Sequence, residues 1–373
     1  MHKNEIIKIY GTEYKEMTKT LLAKANLAAQ ISSPDTRIGI KPNLVSPTPA
    51  DYGATTHPEV VAGIIEYLQE HGFDRIVVLE GAWVGDKTPE AFEYCGYRAL
   101  EAQYGVELWD TQTDSSHEMD CAGMNLRICD MVDQIDFLIN VPVLKGHCQT
   151  KITCALKNSK GLIPNSEKRR FHTMGLHKPI AHLGAGIHQD FIVTDHICGD
   201  LDFEEGGNPV VRNCVMAARD PVLMDAYVCH LLHYSVSDVP YVGMAQQLGV
   251  GSADLDSAQI ITIGEEREEE ITARERVLAV EYAVEEVDSC SACYASLIPA
   301  LDRLRTEGLL EKLDEKIAIG QGYRKKSGRL GVGLCTAGFD VCVRGCPPTE
   351  EQVYRELKQY ILRNKTEKER ERR

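Results

Sequence analysis

The feature that most limits how this chain can fold is a repeated switch of hydrophobic period, in which short apolar β-rich runs are followed by amphipathic helical stretches. Arg37 to Val45 (RIGIKPNLV) reads as a strand leaving into a loop, and Thr56-His57-Pro58-Glu59 then opens a helix with capping-box spacing and Pro in the first turn. Val60, Val61, Ile64, Ile65 and Leu68 fall on one face of that helix, and Gly72 ends it. Arg75 to Leu79 (RIVVL) is the next strand, Thr88-Pro89-Glu90 opens another helix, and Val106 to Trp109 begins a third strand. Gln134 to Val143, Phe191 to Asp195 and Ile260 to Ile263 continue the series. Strands alternating with helices predict an α/β fold, a doubly wound and mostly parallel sheet with helices on both faces.

A charged stretch at 265–276 (EEREEEITARER) marks a domain boundary, with a solvated loop inside one domain as the competing reading. Residues 1–264 then form one α/β domain. Beyond the boundary Val277 to Val287 reads as a strand, Tyr294 to Leu304 as a helix, Lys316 to Gly320 and Leu330 to Leu334 as strands, and Thr349 to Leu362 as a capped helix. That is a second, smaller α/β domain over 277–363, with 364–373 as a flexible tail. The formal net charge of -15 argues against a general affinity for nucleic acid or anionic membrane. No run approaches the ~18 apolar residues of a membrane span, and the first residues lack the apolar stretch of a signal peptide. The expectation is a cytoplasmic protein with no membrane or nucleic-acid partner. A homodimer is left open.

In a reducing compartment the thirteen cysteines are expected to be free thiols or metal ligands. Eight are scattered singly from Cys95 to Cys229 and read as small core residues. The others crowd the last quarter. Cys290-Ser-Ala-Cys293 follows a predicted strand at the mouth of a helix, and Cys335 (in Gly331-Val-Gly-Leu-Cys335) and Cys346 (in Gly345-Cys346-Pro347-Pro348) answer it. Iron–sulfur clusters need thiolates converging from separate loops, so Cys290, Cys293, Cys335 and Cys346 are expected to ligate one [4Fe-4S] cluster. Zinc and a metal-free dithiol use the same residue types. Residues 277 to 363 resemble the cluster-binding domain shared by the small subunit of nickel–iron hydrogenases and the 20-kDa-type subunit of respiratory complex I. The resemblance implies one [4Fe-4S] cluster on a flavodoxin-like sheet, held by a CxxC pair, a cysteine at a "GxC" strand end and the cysteine of "GCPP". This chain departs from the pattern in two places: the Gly-Gly after the third cysteine is only Gly338, and the interval to the fourth is short. Cys342 has no counterpart and is expected to be a spare.

From Val141 to Gln189 the chain carries Lys145, Lys151, Lys157, Lys160, Lys168, Arg169, Arg170 and Lys178 against a single acid, Glu167, together with five of the twelve histidines. This segment begins directly after a buried strand, where α/β sheets bind ligands. A solvated basic loop is the competing reading. The expectation is a pocket for a small anionic ligand or substrate, with Lys145, His147 and Lys157 as catalytic candidates. Lys41, Asn43, Lys151, Asn158, Lys160, His172 and His177 would hold the ligand or an anionic cofactor, with Lys151, Lys157 and Lys160 lining one helix. Asp195, Asp200, Asp202, Glu204 and Glu205 could place a magnesium ion opposite, although a solvated turn explains them as well. Asp220 and Asp225 flank Pro221 as helix caps.

These segments also resemble a known family. KPNLV (Lys41 to Val45), ATTHPEVV (Ala54 to Val61), Glu80-Gly81, NVPVLKGHCQTKITCALKNSKGLIP (Asn140 to Pro164), GGNP (Gly206 to Pro209) and ARDPVLMDA (Ala218 to Ala226) look like domain-of-unknown-function family 362, over about residues 30 to 255. The family is frequently joined to ferredoxin-type modules and has no settled reaction. A hydrogenase-type partner module in their place argues against a simple wire of two clusters. Together the readings describe an iron–sulfur oxidoreductase that passes electrons from one [4Fe-4S] cluster to an anionic substrate or bound cofactor, with an electron-donor protein such as a ferredoxin as its partner. The competing reading is a non-enzymatic carrier or redox sensor whose first domain docks a partner.

Overall fold

The computed structural model describes residues 1–265 and 275–371. They cluster into two compact units, Met1–Arg170 with His177–Ala273 and Phe171–Leu176 with Arg274–Arg373. The boundary expected at 265–276 lies almost wholly outside the described residues, as do all side chains of the expected tail.

In the large unit eight strands form one sheet: β1 (Glu5–Tyr10), β2 (Ile38–Pro42), β3 (Ile76–Glu80), β4 (Glu107–Asp110), β5 (Phe137–Val141), β6 (Phe191–Asp200), β7 (Pro209–Ala218) and β8 (Gln259–Ile263). Their order is β8-β1-β7-β6-β5-β2-β3-β4. Neighbours are parallel except where β7 pairs with β1 and β6. Helices lie on both sides, so β3 (IVVLE) is buried at every position and its apolar run is continuous instead of alternating. On one side the helices Tyr14–Ala25 and Pro58–Glu70 bury Leu21, Leu22, Ile64, Ile65 and Leu68 in the main core. The chain runs outward from β2 through β3 to β4, then returns on the other side of β2 through β5 to β6. β2 and β5 therefore flank a topological switch point, where diverging connections leave a crevice at the carboxyl ends of the strands.

Several local expectations change. The helix starting at Pro58 has no capping box. The Thr56 hydroxyl instead donates to Val141 O at 2.8 Å and accepts the Asn43 amide at 2.8 Å, tying the exit of β2 to β5. β7 is not among the strands the period pattern predicts, because its first half (Pro209 to Asn213) is exposed or half-buried and carries no apolar run. Val277 to Val287 is not one strand but the helix Glu275–Glu281 followed by β9 (Val284–Glu286).

In the small unit β9 is joined by β10 (Ile317–Ile319), β11 (Leu330–Val332) and β12 (Val341–Val343), all parallel and in chain order. The smaller parallel sheet is as expected, but its order lacks the reversal of a flavodoxin-like sheet. The links 320–329 and 333–340 hold single 3-10 turns and no helix, so neither carries the chain back past β9. Among the described residues no helix is long and apolar enough to cross a membrane.

Candidate functional site

At the carboxyl ends of β2 and β3, the buried Lys41 ammonium donates to Glu80 Oε2 at 2.8 Å, Pro42 O at 2.6 Å and Asn158 Oδ1 at 3.3 Å. Glu80 also accepts the Leu44 and Gly81 amides at 2.9 and 2.7 Å. Burial pulls the Lys41 pKa down, and Glu80 opposes that pull. The pair depends on a glycine: a Cβ on Gly161 would stand 1.9 Å from Glu80 Oε1 and 2.4 Å from Lys41 Cε. Asn158 Nδ2 donates to Asn140 Oδ1 at 2.7 Å, and Asn140 Nδ2 reaches Ala155 O at 2.8 Å and Gln189 Oε1 at 2.7 Å. Lys41 and Asn158 thus tie the carboxyl ends of β2 and β3 to the segment after β5, their polar atoms engaged within the chain.

The antiparallel ribbon Lys145–His147 with Lys151–Thr153 follows β5, and the short helix Ala155–Asn158 follows the ribbon. Lys145 donates to Ala54 O at 2.6 Å and Glu204 O at 2.8 Å, and burial, then Lys157, pull its pKa down to about 7. Lys157 donates to Thr153 Oγ1 at 3.2 Å and is held near 8 by burial. Lys168 donates to Gly81 O and Ala82 O, both at 2.9 Å, and burial brings it to about 8. Lys160, in the turn Ser159–Leu162, is pushed well down by burial, Lys157 and Lys168. Among the described residues no acceptor in the chain meets its ammonium. Glu204 is the carboxylate whose charge reaches Lys145, Lys157 and Lys160 together. Lys157 and Lys160 therefore keep hydrogen-bonding capacity in a crowd of cations, and an anion beside them would restore their charge.

His147 is buried at the end of the ribbon's first strand. Its Nδ1 accepts the Gln149 and Thr150 amides at 3.1 and 3.2 Å, which assigns the proton to Nε2, 3.4 Å from Glu204 Oε1. Glu204 also accepts the Cys148 amide at 3.0 Å and the Cys148 thiol at 3.3 Å. The donor atoms of His147, Cys148 and Glu204 lie within 4.8 Å of one another and could hold a metal ion. Polarity works against it. An ion on Nε2 would displace that proton while Nδ1 still faces two N–H donors, the reverse of the outer hydrogen bond that metal-bound histidines make.

The other expected residues are not drawn to this cluster. The Asn43 amide donates to Thr56, and its Oδ1 is buried without a partner among the described residues. Lys151 sits on a strand at φ 68°, pairs with Asp238 at 3.7 Å and lies over the Tyr234 ring. His177 stacks on Tyr241, and burial, then Lys151, lower it to about 4. Lys151, Lys157 and Lys160 occupy a strand, a helix and a 3-10 turn, so they do not line one helix. His172 falls in Phe171–Leu176, which clusters with the small unit.

The acidic run makes no magnesium site among the described residues. Asp195 turns to His57, and Asp200 accepts the Asp202, Phe203 and Asn208 amides at 2.8, 3.0 and 2.9 Å, because this part-buried loop must satisfy its own N–H groups. Asp220 caps its helix through the Val222 and Leu223 amides at 2.8 and 3.0 Å. Asp225 caps a different helix, accepting the Ala155 and Leu156 amides at 2.7 and 3.2 Å, and burial raises its pKa to about 7.

One buried pair escapes sequence reasoning. Asp195 Oδ2 accepts both the His57 amide at 2.7 Å and His57 Nδ1 at 2.8 Å, with Cys198 Sγ 3.9 Å from Nε2. Burial pulls the imidazole down, but Asp195 outweighs it and lifts its pKa to about 10. The signal available was Thr56-His57-Pro58-Glu59, which reads locally as a helix start.

In the small unit Cys290 is the N-cap of the helix Ser291–Thr306, with Cys293 in its first turn. Cys335 sits in the turn Leu334–Thr336 after β11, and Cys346 follows β12. Parallel strands thus deliver all four thiols past their carboxyl ends. Burial first, then repulsion among these thiolates, pushes Cys290 up and Cys293 up to about 12. Gly333 turns the chain at φ 88°, a conformation that favours glycine, and lies beside Cys293, where a Cβ would stand 3.4 Å from Sγ. Cys342 is engaged by the end of the neighbouring strand β11: its thiol reaches Gly333 O at 3.5 Å and Thr336 Oγ1 at 3.4 Å.

Comparisons with known proteins find similar chains. Thylakoid-associated protein sll1697 of Synechocystis sp. is 24% identical over 244 residues, covering 62% of this chain and 74% of that protein. Among solved structures, the lactate racemase apoprotein from Thermoanaerobacterium thermosaccharolyticum matches 61% of this chain with a TM-score of 0.41 and 11% identity, and the match spans 57% of that protein's chain. The profile of the family described as Domain of unknown function (DUF362) matches residues 38–230, just over half of the chain and the whole stretch from β2 to the helix after β7. The chain belongs to the DUF362 family.

Proposed function

We propose that this chain is an iron–sulfur redox protein. In this reading Cys290, Cys293, Cys335 and Cys346 ligate one [4Fe-4S] cluster, as the resemblance to the small subunit of nickel–iron hydrogenases implies, and the large unit binds a small anion that receives the electrons, as substrate or as bound cofactor. The observation that carries the reading is that loops far apart in sequence bring four thiols together at one end of a small parallel sheet. Thiolates gathered in a half-buried site repel one another, and a bound metal centre supplies the missing positive charge. Among the described residues no three of these thiols all lie within 4.8 Å of one another, so the choice of an iron–sulfur centre over zinc rests on ligand type and sequence spacing. When bound, such a cluster exchanges one electron at a time. None of the thirteen cysteines is in a disulfide, which fits a reducing setting; the reading adds a donor protein such as a ferredoxin.

For the anion, Lys157 and Lys160 are the proposed contacts, with Lys145 and His147 shaping the charge behind them. The carrier or sensor reading has one observation in its favour: Lys41, Lys145 and Lys168 already donate to acceptors within the chain, as a purely structural network would. Anaerobic assays with reduced methyl viologen separate the two. An enzyme oxidises the dye when a suitable carboxylate or phosphate ester is added and loses that response in Lys157→Ala. An iron-loaded chain that shows no anion-dependent oxidation is a carrier or sensor.

A further inference from the structure

The four cysteines are not the only polar groups at this end of the small sheet. The loop after β10 is strapped to the Cys290 loop by two backbone bonds, Gln321 N–H to Asp288 O and Gly322 N–H to Val287 O, both at 3.0 Å. Tyr323 packs edge-on against Phe339, which lies in the Cys335-bearing link. From this fixed loop Gln321 Nε2 donates to Cys290 Sγ at 3.6 Å and to Thr173 O at 2.6 Å. A carbonyl oxygen and a thiol both facing one amide atom require that atom to be the NH2 nitrogen, so the side chain presents a donor to the sulfur. Three residues on, the exposed Arg324 places a positive charge in the neighbourhood of Cys335, Cys290 and Cys346. Neither residue belongs to the ligand set; Gln321 points a donor at a ligand sulfur, and Arg324 adds a positive charge nearby.

We propose that Gln321 and Arg324 set the reduction potential of the centre held by the four cysteines, raising it by stabilising the added negative charge. The inference rests on the cluster reading above. Reduction of a [4Fe-4S] centre adds one electron, and hydrogen bonds to sulfur and nearby cations favour the reduced, more negative state. The two contributions differ in kind. Gln321 is half-buried and acts as a fixed dipole, whereas the exposed Arg324 is screened by salt. They are positioning and tuning residues, with no contact to substrate required.

The test uses the full chain, purified anaerobically, with iron and sulfide measured per chain. Midpoint potentials come from redox titration with dithionite, followed by electron paramagnetic resonance. With iron content unchanged, Gln321→Leu and Arg324→Gln should each lower the midpoint. The double variant should change the reduction equilibrium roughly tenfold, about 59 mV for one electron. Arg324→Lys should stay near the wild type at low salt, and the wild-type midpoint should fall as salt screens Arg324. If a variant fails to keep its iron, the wild-type salt series and Arg324→Lys decide. Iron-loaded variants with an unshifted midpoint, or a wild-type midpoint indifferent to salt, would overturn this inference while leaving the cluster intact. A wild-type chain without iron would overturn the cluster reading itself, a separate result.

Discussion

Sulfate binding at Lys157 and Lys160 should weaken about tenfold between pH 7 and pH 9, on the linkage of one lysine proton to binding. In the free site burial holds Lys157 near 8, below its ordinary 10.5, and a dianion in contact with the ammonium reverses that shift. Below pH 8 the lysine is already charged and affinity is flat; above it each binding event must take up a proton, so affinity falls about tenfold per pH unit. Lys160 is likewise pushed well below its ordinary value, by burial and by two neighbouring lysines, and a dianion beside it opposes that shift too. Sulfate is the right probe because, unlike phosphate, it keeps its double charge across this range. Titration calorimetry at constant ionic strength gives the affinity, and repeating it in buffers of different ionisation enthalpy counts the protons. Lys157→Met should flatten the curve. An affinity constant from pH 7 to pH 9, or a slope that survives both Lys157→Met and Lys160→Met, would refute the assignment of these two lysines to the anion.

Three further outcomes follow from the same geometry. Glu80→Gln strands the buried Lys41 ammonium and should cost about 3–5 kcal/mol in urea unfolding, while Lys41→Met with Glu80→Gln should recover much of it; a loss below about 1 kcal/mol would mean the pair is not structural. The His57 pKa is raised to about 10 from 6.5, so its stabilising contribution is complete below about pH 6.5 and disappears as pH rises through 10. His57→Gln should remove that part of the fall in Tm between pH 6 and pH 10, and an unchanged fall would contradict the pairing with Asp195. Cys342→Ser should keep its iron and Cys335→Ser should lose it, because Cys342 is engaged with Gly333 and Thr336; the opposite result would overturn the ligand set.

The parts of this molecule legible in the sequence are those fixed by local period. Continuous apolar runs such as Ile76 to Leu79 announce parallel strands, and Pro58 and Pro89 announce helix starts. Partnerships between distant segments are not legible. Thr56 looks like a helix cap, yet its hydroxyl is used on Val141, and the amide next to it, that of His57, is taken by Asp195, far along the chain. The same holds for Asp225, which sits one turn inside its own helix and caps another. The lysines of the basic segment are visible as charge, but the sequence does not separate those locked onto the chain's own carbonyls, such as Lys145 and Lys168, from Lys157 and Lys160. That division is set by which carbonyl ends the folded loops happen to leave within reach. The placement of the four cysteines beyond strand ends is legible because each thiol is tied to a local turn. Gln321 and Arg324 are not, since nothing in their own neighbourhood names sulfur as a partner.

The central claim is that Cys290, Cys293, Cys335 and Cys346 hold one [4Fe-4S] cluster, and metal and sulfide analysis of the chain purified without oxygen tests it most directly. The account predicts close to four iron atoms and four acid-labile sulfides per chain, with a paramagnetic signal that appears on reduction by dithionite. One zinc per chain, or iron without sulfide, would contradict it.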